Sequence, residues 1–136
     1  MTLAIGWDER SAYWVSERAY FLYTEGRCRE SLALLEGLME LDPDNLYYKD
    51  SASALHLALG NPGQAIRYAS DVISADPENI NALVRRCEGY LHLGKSSEAR
   101  RDVARMNLLG ATLHVRRIEM RLQVVEKFGR NSVREK

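Results

Sequence analysis

The sequence predicts an all-α fold, a solenoid of about three helix pairs followed by a C-terminal capping helix. One phrase occurs twice: ELDPDN ends at Asn45, and SADPEN ends at Asn79, 34 residues further on. A glycine recurs at the same interval of 34 residues, at Gly26, Gly60 and Gly94. Apolar residues recur at three- and four-residue steps, as in SLALLEGLMEL, which places them on one face of a helix. A fixed period of this length is typical of repeat architectures, whose units stack to bury a shared core.

Each period predicts two helices. SAYWVSERAYFLYTEG predicts the first, with Ser11 as its N-cap and Gly26 at its end, because glycine adopts the left-handed backbone at little cost. SLALLEGLMEL predicts the second, and the following Asp-Pro ends it, because the residue before a proline is pushed out of the helical region. The segment GNPG at 60–63 predicts a turn between helices, with Asn61 as N-cap and Pro62 at the first helical position. The repeated phrase therefore marks helix ends.

The period divides one domain into six segments. They are a lead-in at 1–11, three repeats at 12–45, 46–79 and 80–113, a capping helix at 114–128 and a flexible tail at 129–136. The third repeat is degenerate at its end, because Ala111 takes the place that Pro43 and Pro77 hold in the first two.

Two apolar stripes lie on opposite sides of the predicted capping helix. The first consists of Val115, Ile118, Leu122 and Val125, and the second of Leu113, Met120, Val124 and Phe128. A cap needs to bury only one stripe. The second is either wrapped within the monomer or is the surface for a partner or a second copy.

Composition and charge limit the class of protein. With 46% hydrophobic residues the chain can build a core, and no stretch approaches the roughly 18 apolar residues of a membrane span. The start MTLAIGWDER lacks the basic region of a signal peptide, so we expect a cytoplasmic protein without membrane insertion. Residues 1–60 contain 10 acidic and 5 basic residues, and residues 61–136 contain 9 acidic and 14 basic residues. This asymmetry of −5 against +5 favours head-to-tail contacts or an acidic partner at the basic end.

No motif for chemistry is present. The sequence contains no P-loop and none of the patterns G-x-G-x-x-G, H-E-x-x-H, G-x-S-x-G or C-x-x-C. His56, His92 and His114 do not pair at helical spacing, and Cys28 and Cys87 fit no metal-ligand spacing. We therefore predict a protein that is not an enzyme, with two reduced thiols and with no metal and no cofactor.

The repeats resemble the tetratricopeptide repeat (TPR), whose consensus is W-x2-L-G-x2-Y, then A-x3-F, then P within 34 residues. The second half of the consensus matches at Ser31/Leu35/Leu38/Pro43, at Ala65/Ala69/Val72/Pro77 and at Ala99/Val103/Met106, and Tyr90 repeats the consensus tyrosine. The resemblance implies a right-handed solenoid of about three TPR helix pairs. It also implies a concave groove, lined by the first helix of each pair, that holds an extended or helical peptide.

The resemblance assigns groove positions to residues of all three repeats. The groove residues it implies are Tyr13, Tyr20, Tyr23, Tyr47, Asp50, Leu57, Val84, Arg85, Glu88 and Leu91, with Ser16, Ala54 and Asn81 beside them. Tyrosine offers a large rigid face and one hydroxyl, so four tyrosines on one surface predict aromatic anchors for a partner.

Two subsets of the TPR family lead to different expectations. One subset grips the acidic C-termini of heat-shock chaperones with a clamp of cationic and amide side chains. Its positions would be Ser16, Tyr20, Ser51, Asn81 and Arg85, and only Arg85 carries the expected charge, so this role is disfavoured. The layout also resembles the small TPR chaperones of bacterial type III secretion, which are cytoplasmic, are often dimeric, and hold a secreted subunit until export.

We therefore predict a non-enzymatic module that binds a protein or peptide segment in its groove, most concretely a small chaperone or adaptor. A structural subunit or scaffold of a larger assembly is an alternative, and homodimers and heterodimers both stay open. Nucleic acid or an acidic partner is a weaker alternative, because acidic residues interrupt the basic ones. The arginines concerned are Arg85, Arg86, Arg100, Arg101, Arg105, Arg116, Arg117 and Arg121.

Overall fold

The computed structural model describes residues 8–134, with side chains for residues 8–128, and this part of the chain forms seven helices and no strand. The helices are α1 (Glu9–Thr24), α2 (Cys28–Leu41), α3 (Leu46–Ala58), α4 (Pro62–Ala75), α5 (Ile80–His92), α6 (Ser96–Leu108) and α7 (Thr112–Arg134). Each helix packs against the next along the chain, and α3 also contacts α5, as α5 contacts α7. The predicted all-α solenoid is confirmed. None of the described helices has the length and hydropathy needed to cross a bilayer.

The turns use the glycine that the sequence predicted and an asparagine cap that it did not. Gly26, Gly60 and Gly94 follow α1, α3 and α5 with φ of 80°, 78° and 70°, which is the left-handed region where glycine has no steric penalty. Asn45 and Asn79 are the N-caps of α3 and α5, and their side chains accept the backbone N–H of the third helical residue at 3.1 and 3.0 Å. The repeated phrase therefore ends one helix and starts the next.

Helix ends differ from the prediction at both ends of the chain. α1 begins before Ser11, since Asp8 is its N-cap and accepts the Ser11 backbone N–H at 2.8 Å. At the other end, α7 runs on to Arg134, so most of the segment predicted as a tail is helical. Residues 1–7 and 135–136 of the predicted lead-in and tail lie outside the described residues.

The turn before α7 is not of the Asp-Pro type. Gly110 has φ of 79°, and Ala111 donates its backbone N–H to the Met106 carbonyl oxygen at 3.0 Å. The turns after α1, α3 and α5 use the same left-handed glycine. α7 is therefore joined to α6 as the two helices of one pair are joined.

The two helices of each pair touch where both residues are small. A side chain on one helix donates a hydrogen bond to a backbone carbonyl oxygen of the other, 12 residues away. These contacts are Ser31 Oγ to Ala19 at 2.6 Å, Ser53 Oγ to Ala65 at 2.8 Å and Cys87 Sγ to Ala99 at 3.5 Å. All six residues are buried. The same close crossing is therefore built three times.

Two apolar clusters fill the interior. The N-terminal cluster consists of Leu32, Leu35, Leu38, Tyr48, Ala52 and Leu55. The C-terminal cluster consists of Leu83, Cys87, Leu91, Ala99, Val103, Met106, Val115, Ile118 and Leu122. The last three come from the first stripe of α7, which confirms that this stripe packs on the repeats.

A buried ion pair joins α5 to α6. Arg86 Nε and Nη2 donate to the two oxygens of Asp102 at 3.0 and 2.7 Å, and Asp102 is only 3% exposed. Arg86 Nη1 also donates to Ser70 Oγ of α4 at 3.3 Å. The arginine thereby links three helices, and it is part of the interior rather than of an outer basic surface.

Gly89 provides a test of how closely α5 packs on α4. A Cβ at this position would lie 2.6 Å from Ile66 Cγ1 and 3.3 Å from the Pro62 carbonyl oxygen. We expect Gly89→Ala to lower the free energy of unfolding by about 1–3 kcal/mol through overpacking, although alanine is the better helix former. Urea denaturation measures this. The control is Gly37→Ala on α2, where an added Cβ would meet no atom of another element within 4 Å. This change should raise the free energy of unfolding by about 0.5–1 kcal/mol. Equal gains at the two positions would contradict the close contact.

His56 provides a test of the interior between α3 and α4. Its ring stacks on Tyr68 with centroids 5.7 Å apart, and burial lowers its pKa below the ordinary value of 6.5, although Glu36 opposes the shift. The unfolded chain then binds a proton more readily than the folded one, so stability is lost as pH falls from about 6.5 toward the lowered pKa. We expect His56→Gln to lose less stability than the wild type between about pH 7 and pH 5. Parallel stability curves would contradict this, and His92→Gln, at an exposed position, is the control.

Candidate functional site

A pocket of about 240 Å³ lies between α1 and α3 and is called here the α1–α3 pocket. It is lined by Ser16, Ala19, Tyr20, Tyr23, Ser31, Leu35, Tyr47, Asp50, Ser51, Ala54, Leu55 and Arg85. Ala19, Leu35 and Leu55 are buried, so they form an apolar floor, whereas the tyrosines stand around it. The floor continues the N-terminal cluster, to which Leu35 and Leu55 belong.

A second depression, called the outer pocket, adjoins the first. It is lined by Glu9, Ala12, Tyr13, Ser16, Glu17, Tyr20, Asp42, Asn45, Tyr47 and Tyr48. Ser16, Tyr20 and Tyr47 line both pockets, so the two form one continuous depression, named here the tyrosine groove.

The structure brings together the four predicted tyrosines. Tyr13, Tyr20, Tyr23 and Tyr47 are 60, 58, 44 and 61% exposed, so their rings are available to a partner. Tyr13 donates its hydroxyl to Glu17 Oε1 at 2.7 Å, and this hydrogen bond raises the pKa of Tyr13. Tyr20, Tyr23 and Tyr47 surround the apolar floor, and Tyr13 lines the outer pocket. Exposed patches of large apolar and aromatic side chains of this kind mark binding sites.

The two ends of the tyrosine groove differ in charge. In the α1–α3 pocket, Arg85 of α5 forms an ion pair with Asp50 of α3, and each side chain is about one quarter exposed. The outer pocket is lined by the carboxylates of Glu9, Glu17 and Asp42, and none of its lining residues is Lys or Arg. The groove therefore has a neutral inner end and an acidic outer end.

Four predicted groove residues lie elsewhere. Leu57, Val84, Glu88 and Leu91 line neither pocket. Leu91 is 5% exposed and belongs to the C-terminal cluster, so the prediction that it faces a partner is wrong. Val84 packs against that cluster, and Glu88 lies 3.6 Å from Arg121 of α7. The packing of α7 on α5 uses the side chains that were expected to line this half of the groove.

Sequence reasoning missed the apolar floor and the acidic end. The sequence predicts Leu35 only as part of an apolar helix face and does not single out Leu55, because the period does not show how far two neighbouring first helices stand apart. Glu9 was missed because the first helix was expected to start later. The signal for the acidic end was the spacing of Glu9, Tyr13, Glu17 and Tyr20, which share one face of a helix.

The second stripe of α7 is exposed. Leu113, Met120, Val124 and Phe128 are 76, 71, 52 and 65% exposed, and the described residues do not cover them. Within the described residues, the interpretation that the monomer wraps both stripes is therefore wrong.

The described side chains do not assemble a metal site, since no group of His, Cys, Asp or Glu among them could hold an ion. Both cysteines are free thiols, and burial raises the pKa of Cys87 to about 12, so this thiol stays protonated at neutral pH. Four of the eight arginines considered for nucleic acid are already in ion pairs. The pairs are Arg85–Asp50, Arg86–Asp102, Arg100–Glu126 and Arg121–Glu88.

Curated relatives match a part of the chain. The TPR repeat-containing thioredoxin TTL4 of Arabidopsis thaliana is 30% identical over 89 residues, 65% of this chain and 13% of that protein. DnaJ homolog subfamily C member 3 of Bos taurus is 32% identical over 90 residues, 63% of this chain and 18% of that protein. The chain thus spans less than one fifth of the length of these relatives. No protein-family model matches the chain.

Solved structures match nearly the whole chain. PcrH, a protein of Pseudomonas aeruginosa, in complex with the chaperone-binding region of PopD has a TM-score of 0.76 at 19% identity. That match covers 90% of this chain and 96% of the other. The first TPR of Spaghetti bound to an HSP90 peptide has a TM-score of 0.72 at 20% identity and covers 90% and 99% of the two chains. Both likenesses concern the fold.

Proposed function

We propose that this chain, whose fold is like that of solved tetratricopeptide-repeat proteins and type III secretion chaperones, holds a segment of a partner protein in the tyrosine groove. It would act as a small cytoplasmic chaperone or adaptor. The observation that carries the proposal is the set of four exposed tyrosines along the groove, three of which surround its apolar floor.

The dimensions of the groove suit a segment with at least one large apolar side chain. A cavity of about 150 Å³ is enough for a benzene ring, and the α1–α3 pocket has about 240 Å³. A side chain that enters it would contact Leu35 and Leu55, while Tyr20 and Tyr47 close over its stem. Aromatic anchors of this kind are worth about 2 kcal/mol or more each.

The comparisons support a bound segment of protein. PcrH was solved with a region of PopD, and the TPR of Spaghetti was solved with an HSP90 peptide. In the present chain a terminal carboxylate finds less support, because Arg85 is already paired with Asp50. We therefore propose that the partner presents an internal segment rather than a free C-terminus.

A scaffold in a larger assembly would use the same groove and would differ only in never releasing its partner. Binding of nucleic acid is less favoured, because cations that are held in ion pairs are not available to phosphate groups.

The proposal predicts that Tyr20→Ala combined with Tyr47→Ala abolishes capture of the partner. The two rings are exposed, so the helical circular dichroism signal should not change. The measurement is a pulldown from the lysate of the source cell with the tagged protein, at low and high salt, followed by mass spectrometry. The expected result is a protein partner that resists high salt with the wild type and is absent with the variant.

The matched control is Trp14→Ala combined with Phe21→Ala. These rings are 65 and 60% exposed on the same helix and line neither pocket, so the control removes similar aromatic area and should keep the partner. Full capture by the Tyr20/Tyr47 variant would disprove the groove proposal. Recovery of nucleic acid alone, removed by salt, would favour the arginine-rich half instead.

A further inference from the structure

The exposed stripe of α7, formed by Leu113, Met120, Val124 and Phe128, is called the α7 stripe. It lies on the side of the helix opposite the buried Val115, Ile118 and Leu122. Since that buried side packs on the repeats, the α7 stripe faces away from the body of the solenoid. Polar residues would be expected on the outer face of a terminal cap, so four large apolar side chains there indicate an interface.

Cations surround the α7 stripe. At 3.6 residues per turn, Arg116, Arg117, Arg121 and Lys127 lie within or beside it. The same geometry places Glu119 and Glu126 on another side of the helix, and Glu126 pairs with Arg100 of α6. Among the described side chains of α7, the flanks of the stripe therefore include several cations and no carboxylate, and one of these cations, Arg121, is paired with Glu88 of α5. Its occupant must offer apolar surface together with carboxylates.

The tyrosine groove offers that combination. Its outer pocket has the carboxylates of Glu9, Glu17 and Asp42 next to the faces of Tyr13 and Tyr47. The outer pocket is acidic and the flanks of the α7 stripe are basic, and both surfaces expose large apolar or aromatic side chains. Opposite potentials on facing surfaces steer association and set its orientation.

The C-terminal part of the α7 stripe also corresponds in length to the groove. Met120 and Phe128 are eight residues apart, which is about 12 Å along a helix. Tyr13 and Tyr23, which span the groove along α1, are ten residues apart, or about 15 Å. The part of the stripe from Met120 to Phe128 therefore fits within the length of the groove, whereas Leu113, about two turns earlier, lies beyond it.

A helix cannot place its outward stripe in the groove of its own chain, because α7 is fixed to α5 and α6 while the groove lies between α1 and α3. We propose that the α7 stripe of one copy occupies the tyrosine groove of a second copy. The contact joins two different surfaces, head to tail, and agrees with the opposite charges of the two halves of the chain. The inference concerns these two surfaces alone and holds whether or not the groove also binds another protein.

Such a contact is heterologous, and this property gives a decisive experiment. The groove variant is Tyr20→Ala with Tyr47→Ala, and the α7 variant is Met120→Glu with Val124→Glu. Sedimentation velocity at chain concentrations up to about 100 µM covers the micromolar end of the range for protein interfaces. We expect the wild type to associate and each variant alone to sediment as a monomer, with dissociation constants raised about 100-fold or more.

An equimolar mixture of the two variants should form a one-to-one dimer. The groove variant still has an intact α7 stripe, and the α7 variant still has an intact groove, so one working interface remains. This dimer should weaken as sodium chloride is raised from about 50 to 500 mM, because exposed opposite charges are screened. The control is Leu108→Glu on α6, a residue that is 80% exposed and lies on neither surface, and it should associate like the wild type.

Three results would overturn the inference. A wild type that stays monomeric over the whole range would leave the α7 stripe to an acidic partner of another kind. A mixture that stays monomeric would point to contact between identical surfaces. Association that survives in the α7 variant alone would show that the stripe is not used. In each case the pulldown above would still decide separately whether the groove captures a client.

Discussion

The rest of the fold depends on the close crossing of the two helices in each pair. Side-chain donors at Ser31, Ser53 and Cys87 reach a backbone carbonyl oxygen of the facing helix, and the opposing residues are all alanines. A larger side chain on either side would separate the backbones and leave the buried donor without its acceptor, which costs more than the hydrogen bond contributes. The donor belongs to the second helix in the first pair and to the first helix in the other two. Each crossing therefore requires one small residue with a side-chain donor on one helix and an alanine on the other, and either helix of the pair can carry the donor.

Fixed crossings explain both the period and the groove. Because each pair has the same geometry, left-handed glycines can close the turn within a pair and asparagine caps can start the next. The pairs then stack with their first helices on one side. Where α7 packs on α5, the groove-side residues of α5 contact α7 instead of a partner. Leu91 lies in the C-terminal cluster, and Glu88 pairs with Arg121 of α7. Between α1 and α3 no further helix covers the groove-side residues among the described residues. The tyrosines there remain exposed, and the apolar floor beneath them is the edge of the N-terminal cluster.

The sequence was sufficient for the features that repeat and insufficient for those that do not. The period, the turn glycines and the apolar stripes of α7 each follow from local spacing, and each was predicted, whereas the caps at Asn45 and Asn79 were not singled out. The Arg86–Asp102 and Arg85–Asp50 pairs join residues 16 and 35 positions apart across helices, and no local pattern encodes such a contact. The same limit applies to Leu91, whose spacing on α5 allows either the groove or the core. Only the position of α7 decides between them.

The point at which the repeat pattern fails is the point that gives the chain its second surface. A third Asp-Pro and asparagine cap would have started another pair, but Gly110 and Ala111 stand there and α7 follows without a second helix among the described residues. Its inner stripe completes the C-terminal cluster, while its outer stripe stays where a further helix of the solenoid would pack. Terminal caps of natural solenoids usually have polar outer faces, which keep the exposed end of the stack soluble. In this chain the outer face of α7 exposes four apolar side chains with arginine and lysine residues beside them. The acidic, aromatic outer pocket, which is complementary to this face, lies at the other end of the same chain. A solenoid with two complementary ends can bind a second copy of itself. A client protein that enters the tyrosine groove would then have to displace the α7 stripe of that second copy.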